Sequence, residues 1–406
     1  MYKVDHFING KSSSESNKTS KIYNPSYGTE IGEVLCATNE LADKAVESAY
    51  EASKAWSKTG LIYRSELILK FRQNVINRSK EIIDLGISEA GKTRPDAEAE
   101  LDRAVQALTH IAGVQHFYPS HYSQNVAGGI DIADLRFPIG VIVGVGPFNF
   151  PILIPLLHSA MALVTGNTYI GKPSEKVPSV SRLYADIWKE SGLPDGCYNV
   201  VNGDKETVEF LVRHEKVDGL AFIGSTAAAK SLKMLGVEHN TKVQALGGAK
   251  NHMIVLPDAD LDMSADAAVS ASFGAAGQRC MAVSVVVAVG DIADELLDKI
   301  KERMPNLIMG VTDDDKTQLG PVISPENKDR IYSFIDSAEP DGATLVVDGR
   351  IRSNSLEGCF VGPTLIDNVK PGMAVYENEI FGPVLSFVRA KTYDEAMKIT
   401  NSNNFG

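Results

Sequence analysis

The segment between Arg136 and Lys172 carries no Lys, Arg, Asp or Glu, and it restricts the fold more than any other part of the sequence. A long apolar segment of this kind forms either a membrane-spanning helix or the buried strand and helix of an α/β sheet. Three prolines interrupt it: Pro147, Pro151 and Pro155. Because proline disrupts a helix interior, we reject a single spanning helix. We expect a buried strand, a turn at PFNFP, and a buried helix with Pro155 in its first turn.

Short β-branched runs alternate with longer helical patterns along most of the chain. Strands are predicted at 139–145, 167–173, 197–201, 219–224, 252–257 and 282–290. Helices are predicted at 40–57 (with Asn39 as cap), about 62–90, about 96–115, 152–165, 178–191, 204–214, 226–235 and 261–276. Strands joined by helical crossovers imply a parallel, doubly wound α/β sheet, and a second α/β domain follows from about residue 247.

The composition is that of a globular chain of 406 residues with a net charge of −12. The lack of a basic cluster argues against nucleic-acid binding. Four cysteines are too few for a disulfide framework and indicate a reducing compartment: Cys36, Cys197, Cys280 and Cys359. C-x-x-C and H-E-x-x-H patterns are missing, so we expect no metal site. The N-terminus, MYKVDHFINGK, has no signal or transit character, so we expect a cytoplasmic protein that does not bind membranes.

The stretch FGAAGQRCMA surrounds Cys280 with small residues and an arginine. A free cysteine usually fills space as a small hydrophobe, whereas a thiolate beside Arg279 would be a nucleophile. The loops GVGPFN and GSTAAA each contain only part of the dinucleotide fingerprint. From these residues alone, a structural cysteine remains open, and so does a dinucleotide site.

Five motifs occur in an order that resembles the aldehyde dehydrogenase superfamily: PFNFP (147–151), KPSE (172–175), FIGST (222–226), GQRC (277–280) and EIFGPV (379–384). The resemblance extends over essentially the whole chain, starting at HFINGK. Two further stretches, VQALGGAKNH (243–252) and FGAAGQRCMA, are similar to the CoA-acylating subgroup that oxidises malonate and methylmalonate semialdehydes.

The resemblance implies a Rossmann-like NAD-binding domain, an α/β catalytic domain and a small bridging arm that builds oligomers. We place the NAD-binding domain at 1–116 and 137–246, part of the arm at 117–136, and the catalytic domain at 247–406. Relatives continue for roughly another 80 residues, so we expect the sequence to be a fragment of a longer protein. A homo-oligomer, either a dimer or a tetramer, is implied if the longer protein supplies that tail.

Cys280 and Asn149 are the catalytic residues that the resemblance implies. Cys280 attacks the aldehyde as a thiolate, which nearby positive charge such as Arg279 favours. The side-chain amide of Asn149 and the backbone N–H of Cys280 then stabilise the oxyanion in the family. The alternative for Asn149 is a turn residue that satisfies the backbone.

The family's NAD-binding residues carry over by motif. Lys172 and Glu175 hold the adenosine ribose, and the Glu175 carboxylate repels a 2′-phosphate, which favours NAD over NADP. The remaining residues of the cofactor cleft are Gly146, Phe148, Lys176, Ser225, Glu379 and Phe381. A solvated ion pair at a strand end is the alternative for Lys172 and Glu175.

Leu246 stands where hydrolytic relatives carry the glutamate that activates water. Because leucine cannot accept a proton, we expect slow hydrolysis of an acyl-Cys280 and acyl transfer to CoA as co-substrate. Two alternatives remain. Glu379 replaces the missing base in a hydrolytic enzyme, or the chain is a truncated, non-catalytic NAD-binding protein.

Arg103 and Arg279 match positions that hold the substrate carboxylate in the semialdehyde subgroup. A guanidinium binds a carboxylate through two parallel hydrogen bonds, so the pair indicates a small acidic aldehyde as substrate. In this subgroup the acyl intermediate loses CO₂, and the products are acetyl-CoA or propionyl-CoA. The alternatives are a surface charge paired with Glu100 or Asp96 for Arg103, and a structural ion pair for Arg279.

Overall fold

Seven strands form the largest sheet of the computed structural model, which describes residues 1–117 and 120–405. The chain divides into two compact units. The first contains Met1–Ile22, Glu30–Gly86 and Glu98–Gly247, and the second contains Tyr23–Thr29, Ile87–Ala97 and Gly248–Gly406. Residues 118 and 119 of the predicted arm, and residue 406 of the predicted catalytic domain, lie outside the described residues. The functional assignment of the three domains stays a prediction.

Parallel strands form the centre of the first unit. The strands that lie wholly or mostly in this unit are β1 (Tyr2–Val4), β2 (His6–Ile8), β3 (Lys11–Ser13), β4 (Lys18–Asn24), β5 (Thr29–Cys36), β6 (Tyr122–Ala127), β7 (Ile130–Ala133), β8 (Val141–Val145), β9 (Thr168–Lys172), β10 (Tyr198–Val200), β11 (Gly219–Ile223) and β12 (Lys242–Leu246). The large sheet has the order β12-β11-β8-β9-β10-β2-β3, in which β8 to β12 are parallel and β2 pairs antiparallel with both β10 and β3. Strands β1, β5 and β4 form a small sheet, and β6 pairs antiparallel with β7.

Helices cover this sheet and bury its apolar side chains, among them Val143, Ile170 and Leu220. They are α1 (Asn39–Trp56), α2 (Leu61–Asn77), α3 (Ser79–Ala90), α4 (Arg94–Ala112), α5 (Val114–Phe117), α6 (Leu153–Val164), α7 (Ser179–Glu190), α8 (Lys205–Arg213) and α9 (Thr226–Glu238). The charge-free segment therefore forms β8, a loop, α6 and most of β9, as the prolines indicated. Within residues 1–117 and 120–405, no helix combines the length and the apolar character that crossing a bilayer requires.

The predicted cap of α1 and the single helix predicted over 62–90 are wrong. The cap of α1 is Thr38, not Asn39, because the Thr38 hydroxyl accepts a hydrogen bond from the N–H of Leu41 at 3.2 Å. The pattern over 62–90 forms two helices, because Arg78 leaves helical geometry with φ −106° and ψ 20°. Val75 and Ile82 are both buried on either side of this break, so the apolar period continues through it and hides it in the sequence.

The second unit is a separate α/β layer. Its strands are β13 (Asn251–Val255), β14 (Val283–Val289), β15 (Thr344–Val347), β16 (Thr364–Asp367) and β17 (Val384–Ala390), in the order β13-β14-β17-β16-β15. Its helices are α10 (Leu261–Phe273), α11 (Ala293–Arg303), α12 (Pro325–Ala338), α13 (Gly349–Ser353), α14 (Ala374–Glu377) and α15 (Tyr393–Thr400). All neighbours in this sheet are parallel except β15 and β16, and Val286, Leu365 and Phe387 are buried in its core.

Candidate active site

The carboxyl ends of four parallel strands meet at one edge of the large sheet. Val145 of β8 is level with Lys172 of β9 and Phe222 of β11, and Ile223 of β11 is level with Leu246 of β12. The chain leaves β8 for β9 on one side and later returns to place β11 on the other side. Such a reversal of strand order opens a crevice between the two loops, and nucleotides bind there in doubly wound folds.

Glycine is required at the end of β8 for a steric reason. A Cβ at Gly144 would lie 2.1 Å from the hydroxyl oxygen of Tyr169, whose ring is buried in β9. The next glycine, Gly146, is buried, and its N–H donates to the carbonyl of Lys172 at 3.1 Å. These contacts fix the start of the loop after β8, which contains Phe148 and Asn149, both half-buried.

Glu100 anchors the far end of that loop. Its Oε1 accepts hydrogen bonds from the N–H groups of Ile152 at 2.9 Å and Leu153 at 2.8 Å. These N–H groups belong to the start of α6, where a helix leaves its first donors unsatisfied. The loop that carries Asn149 is therefore fixed at both ends, which suits a side chain that must hold one position.

Lys172 and Glu175 form an ion pair after β9. The Lys172 Nζ lies 3.6 Å from Glu175 Oε2; the lysine side chain is 7% exposed and that of Glu175 is 40% exposed. Burial lowers the pKa of Lys172, and the Glu175 carboxylate opposes that shift. The buried ammonium and the half-exposed carboxylate can each bond a ribose hydroxyl. Lys176 is half-buried, and its N–H donates to Ser174 Oγ at 3.3 Å.

Ser225 is the cap of α9 at the same edge of the sheet. Its side chain accepts a hydrogen bond from the N–H of Ala228 at 3.3 Å, and the preceding Gly224 donates its N–H to the carbonyl of Leu246 at 3.1 Å. A helix N-terminus offers N–H donors and a positive dipole end to a phosphate. Together with the ion pair after β9, this edge has the donors and acceptors that a dinucleotide needs.

Leu246 ends β12, and its side chain is 52% exposed, which is unusual for a leucine at the end of a sheet strand. A side chain at this position is accessible from the crevice edge of the first unit. A leucine side chain has no atom that accepts a proton. This position therefore lacks a general base, as the sequence predicted.

In the second unit, the helix predicted over 261–276 ends three residues early, at Phe273. Ala275, Ala276 and Gly277 follow with φ of 50°, 53° and 69°. Left-handed conformations are costly for alanine, so the surrounding contacts must hold this turn. Gln278 supplies one of them: it is buried, and its Oε1 accepts from the N–H of Ile323 at 2.9 Å.

Gly277→Ala should destabilise this turn strongly. A Cβ at Gly277 would lie 2.2 Å from the carbonyl oxygen of Gly382, and the φ of 69° adds strain. We expect the free energy of unfolding, measured with urea, to fall by about 2–4 kcal/mol. Gly192→Ala is the matched control, because Gly192 has a φ of 90° but nothing within 4 Å, and it should cost about 1 kcal/mol. Equal losses in the two variants would contradict the close approach.

Cys280 lies in a turn that follows, with the N–H of Ala282 bonded to the carbonyl of Arg279 at 3.0 Å. Cys280 is half-buried, whereas Cys36, Cys197 and Cys359 are buried. Burial raises the pKa of the Cys280 thiol, and the negative charge of Glu379 raises it further. The backbone N–H groups of Cys280 and Met281 act in the opposite direction and lower the pKa, because N–H donors favour the thiolate.

The Arg279 guanidinium forms an ion pair with Asp96, whose other oxygen accepts from the hydroxyl of Thr93 at 2.9 Å. This is the structural ion pair that the sequence left open as the alternative for Arg279. An effect of its charge on the Cys280 thiolate stays a prediction. Asp96 is far away in the sequence, so a local pattern could not reveal it as the partner.

Arg103 is exposed on α4, and its Nη1 approaches Gln106 Oε1 at 3.5 Å. Glu100 and Asp96 bond other groups, so the alternative that paired Arg103 with one of them is also wrong. A role for Arg103 in substrate binding stays a prediction.

Glu379 and Phe381 lie in the loop before β17. A Cβ at Gly248 would lie 2.2 Å from Glu379 Oε2, and the carboxylate accepts from the N–H of Ala249. Burial raises the pKa of Glu379. Arg330 holds the main chain here, because its Nη1 donates to the carbonyl of Glu379 at 3.3 Å. Phe381 has a φ of 55°, a strained value for a side chain of its size.

The described residues also place Asp43, Glu47 and His214 within 4.8 Å of one another at the surface of the first unit. Lys216 already donates to the Glu47 carboxylate, and His214 contacts Asp43 at 3.1 Å. The group is therefore an ion-pair network, and the structure gives it no open ligand geometry.

The aldehyde dehydrogenase family model matches residues 12–406 of the chain. The chain belongs to the aldehyde dehydrogenase family. The human mitochondrial methylmalonate-semialdehyde/malonate-semialdehyde dehydrogenase [acylating] is 41% identical over 406 residues, which cover 99% of this chain and 76% of the human protein. The crystal structure of a methylmalonate-semialdehyde dehydrogenase from Oceanimonas doudoroffii superposes with a TM-score of 0.97 at 39% identity. That superposition covers 100% of this chain and 84% of the other.

A second solved structure, from Sinorhizobium meliloti, was determined in complex with NAD. Its TM-score is 0.95 at 41% identity, and the match covers 98% of this chain and 82% of the other. These findings confirm the resemblance and the α/β fold that the ordered motifs predicted.

Motif reasoning about this aldehyde dehydrogenase missed three side chains next to the predicted site. Lys250 is buried, and its Nζ donates to the carbonyls of Val375 and Asn378, each at 2.7 Å; burial lowers its pKa to about 8. Asn251 bonds the main chain around Cys280. His252 contacts Tyr376 Oη at 3.2 Å, which fits a structural role. The partners of Lys250 and Asn251 are main-chain carbonyls distant in sequence, which no local pattern reveals.

Proposed function

We propose that this aldehyde dehydrogenase oxidises malonate or methylmalonate semialdehyde with NAD and CoA and forms acetyl-CoA or propionyl-CoA with loss of CO₂. Two separate observations support the proposal: Cys280 lies half-buried in a turn of the second unit, and an exposed leucine, Leu246, occupies the position where the resemblance places the base of hydrolytic relatives. A nucleophile without a partner base forms an acyl intermediate that water removes slowly. The acylating name of the human relative supports a thiol acceptor.

The first step is attack of the Cys280 sulfur on the aldehyde carbon. The backbone N–H groups of Cys280 and Met281 lower the pKa of the thiol, against the effect of burial. The oxyanion that forms requires fixed donors, and the backbone N–H of Cys280 and the amide of Asn149 are the groups we assign to it. The anchored loop after β8 supports this role for Asn149.

NAD, when bound, accepts the hydride that leaves the adduct. Lys172 and Glu175 are the residues that would bind its adenosine ribose, and Ser225 would lie near its phosphates at the start of α9. We assign Gly146, Phe148 and Lys176 to the same cleft, and Glu379 with Phe381 to the nicotinamide ribose. The acyl group then remains on Cys280 as a thioester until the CoA thiolate replaces the Cys280 sulfur.

Arg279 is the residue we propose to orient the substrate carboxylate, with Arg103 as a second contact. The ion pair with Asp96 fixes the Arg279 guanidinium, which has five N–H donors, so it can still bond a carboxylate. The carboxylate at the other end of the semialdehyde would explain why an arginine stands directly before the nucleophile.

Glu175→Gln should weaken the selection of NAD over NADP. The variant keeps the size of the side chain but removes the negative charge that repels a 2′-phosphate. We expect the ratio of kcat/KM for NAD to that for NADP to fall about tenfold, which corresponds to one like-charge contact. Glu190→Gln, on the exposed end of α7, is the control and should keep the ratio of the unmodified protein. An unchanged ratio in Glu175→Gln would remove Glu175 from the ribose site.

We also propose a homo-oligomer in which the exposed β6–β7 hairpin takes part, because all residues of both strands are exposed. Tyr122, Ile130 and Ile132 are large apolar side chains on that hairpin, each more than half exposed. A cytoplasmic location remains part of the proposal.

Hydrolysis to a free acid is the second candidate, and the half-buried Glu379 is the observation that favours it. Its raised pKa is a property of general bases, and its charge is felt at the Cys280 sulfur. The carboxylate is, however, held by the N–H of Ala249 beside Gly248, which restrains it from following a water molecule.

Product analysis separates the two candidates. The purified chain is incubated with NAD, CoA and malonate semialdehyde, and the products are identified by mass spectrometry. We expect acetyl-CoA, CO₂ and NADH in equal amounts, and propionyl-CoA from methylmalonate semialdehyde. NADH accompanied by a free acid and unchanged CoA would contradict the acyl-transfer proposal and support hydrolysis.

A further inference from the structure

The side-chain amide of Asn251 bridges two carbonyl groups of the turn that carries Cys280. Its Nδ2 donates to the carbonyl of Cys280 at 2.8 Å and to that of Ala282 at 2.9 Å. An amide NH₂ has two hydrogens, so both bonds form at the same time. Asn251 is the first residue of β13 and is half-buried, and it is 29 residues from Cys280 in the sequence.

The strand pairing at this point cannot hold the turn by itself. Asn251 pairs with Val283 and His252 with Val285, so β14 has one extra residue opposite this step. A bulge interrupts the regular ladder of backbone hydrogen bonds. The two bonds from Asn251 replace the missing ladder on the side of the turn next to the nucleophile.

The carbonyl that Asn251 holds belongs to the same peptide unit as the N–H of Met281. In a trans peptide the C=O and the N–H point in opposite directions, so fixing one of them orients the other. The N–H of Met281 therefore points away from Asn251, and this N–H lowers the pKa of the Cys280 thiol. The hydrogen bond between the N–H of Ala282 and the carbonyl of Arg279 fixes the preceding peptide in the same way.

We propose that Asn251 is a positioning residue that holds the Cys280–Ala282 turn through the carbonyls of Cys280 and Ala282 and thereby fixes the place of the Cys280 sulfur. The proposal rests on the proposed role of Cys280 as nucleophile. Asn251 does not touch the reacting atoms; it acts through the peptide planes of the turn. Loss of its two donors would let these peptides rotate, which would move the sulfur and change the orientation of the Met281 N–H, the group that lowers the pKa of the thiol.

Asn251→Asp is the decisive variant, because aspartate has almost the same size but no N–H donors. Its carboxylate would also face the carbonyls of Cys280 and Ala282, with which it cannot form hydrogen bonds. Asn251→Ala removes the donors without adding charge. Ser272→Ala is the matched control: it removes a buried hydrogen bond to the neighbouring carbonyl of Val283, at 2.7 Å, but leaves the Cys280 peptide held.

The measurement is the rate at which iodoacetamide alkylates Cys280, followed by peptide mass spectrometry between pH 6 and 10. Only the thiolate reacts. We expect both Asn251 variants to move the midpoint of the pH profile to higher pH. At neutral pH they should react about three- to tenfold more slowly, which corresponds to as much as one pKa unit. Ser272→Ala should lower the unfolding temperature but keep the profile of the unmodified protein.

The profile and the steady-state constants separate this inference from the proposed function. Alkylation needs neither aldehyde nor CoA, so a shifted profile supports the positioning role even if the substrate is different. With an active substrate, kcat should fall while KM for NAD stays the same. If both Asn251 variants lose thermal stability, as Ser272→Ala does, but keep the pH profile and kcat, then Asn251 is only a structural residue and the proposal is wrong.

Discussion

Cys280→Ala should lower the rate of NADH formation by about 10³-fold or more, the scale on which removal of a covalent nucleophile acts. No other described cysteine can replace it. Cys36, Cys197 and Cys359 are buried, and burial raises the pKa of Cys197 to about 12, which leaves almost no thiolate at neutral pH. The half-buried Cys280 turn is the only one of the four positions that combines access with N–H donors for the sulfur. Steady-state NADH absorbance gives the rate.

Cys197→Ala is the matched control for this loss. It removes a buried thiol directly before β10 of the first unit and should change the unfolding temperature more than the rate. NAD binding, measured by quenching of protein fluorescence, should be unaffected in Cys280→Ala. If purified Cys280→Ala keeps more than about a tenth of the activity of the unmodified protein, Cys280 is not the nucleophile.

Asn149→Ala should lower kcat by about 10²–10³-fold, the effect of removing one oxyanion donor. The reason is that, without the Asn149 amide, only backbone N–H groups remain to stabilise the negative charge that develops on the substrate oxygen. The loop that carries Asn149 is held by Gly146 and Glu100 at its two ends, so the substitution should leave the fold intact. The rates are compared at saturating NAD and substrate so that binding does not limit them.

Two readouts show whether the loss in Asn149→Ala is chemical. The alkylation rate of Cys280 by iodoacetamide should be unchanged, because Asn149 acts on the oxyanion and not on the thiol. KM for NAD should also be unchanged. If alkylation slows or the unfolding temperature drops by more than a few degrees, the alternative role holds: Asn149 is then a turn residue that forms hydrogen bonds with the backbone.

The sequence predicted the parallel sheet because buried strands leave a clear signal. The β-branched runs contain no polar residue in β8 and one, Ser284, in β14, which is typical of strands covered on both faces. Three of the five ordered motifs, PFNFP, KPSE and FIGST, then fall at the carboxyl ends of β8, β9 and β11, where the fold class places ligands. Spacing along the chain was sufficient for this level of description.

Contacts between distant residues were outside the reach of that reasoning. Thr38, and not Asn39, is the cap of α1 because its side chain reaches the N–H of Leu41. The helical pattern in the sequence does not locate the start of a helix to within one residue. The left-handed turn at Ala275 and Ala276 could not be read from the alanines, since alanine favours helix, although Gly274 directly after α10 marks a possible helix end. The same holds for the partners of Arg279 and Asn251, which follow from tertiary structure alone.

The CoA requirement of NADH formation decides whether the acyl group on Cys280 is transferred to CoA or to water. The purified chain is mixed with NAD and malonate semialdehyde, and NADH is followed first without and then with CoA. We expect a burst stoichiometric with Cys280 that stops without CoA, because Leu246 cannot activate water, and a sustained rate once CoA is added. Intact-protein mass should show the acyl group on Cys280 during the pause. A sustained rate without CoA would show that water removes the acyl group and that transfer to CoA is not required.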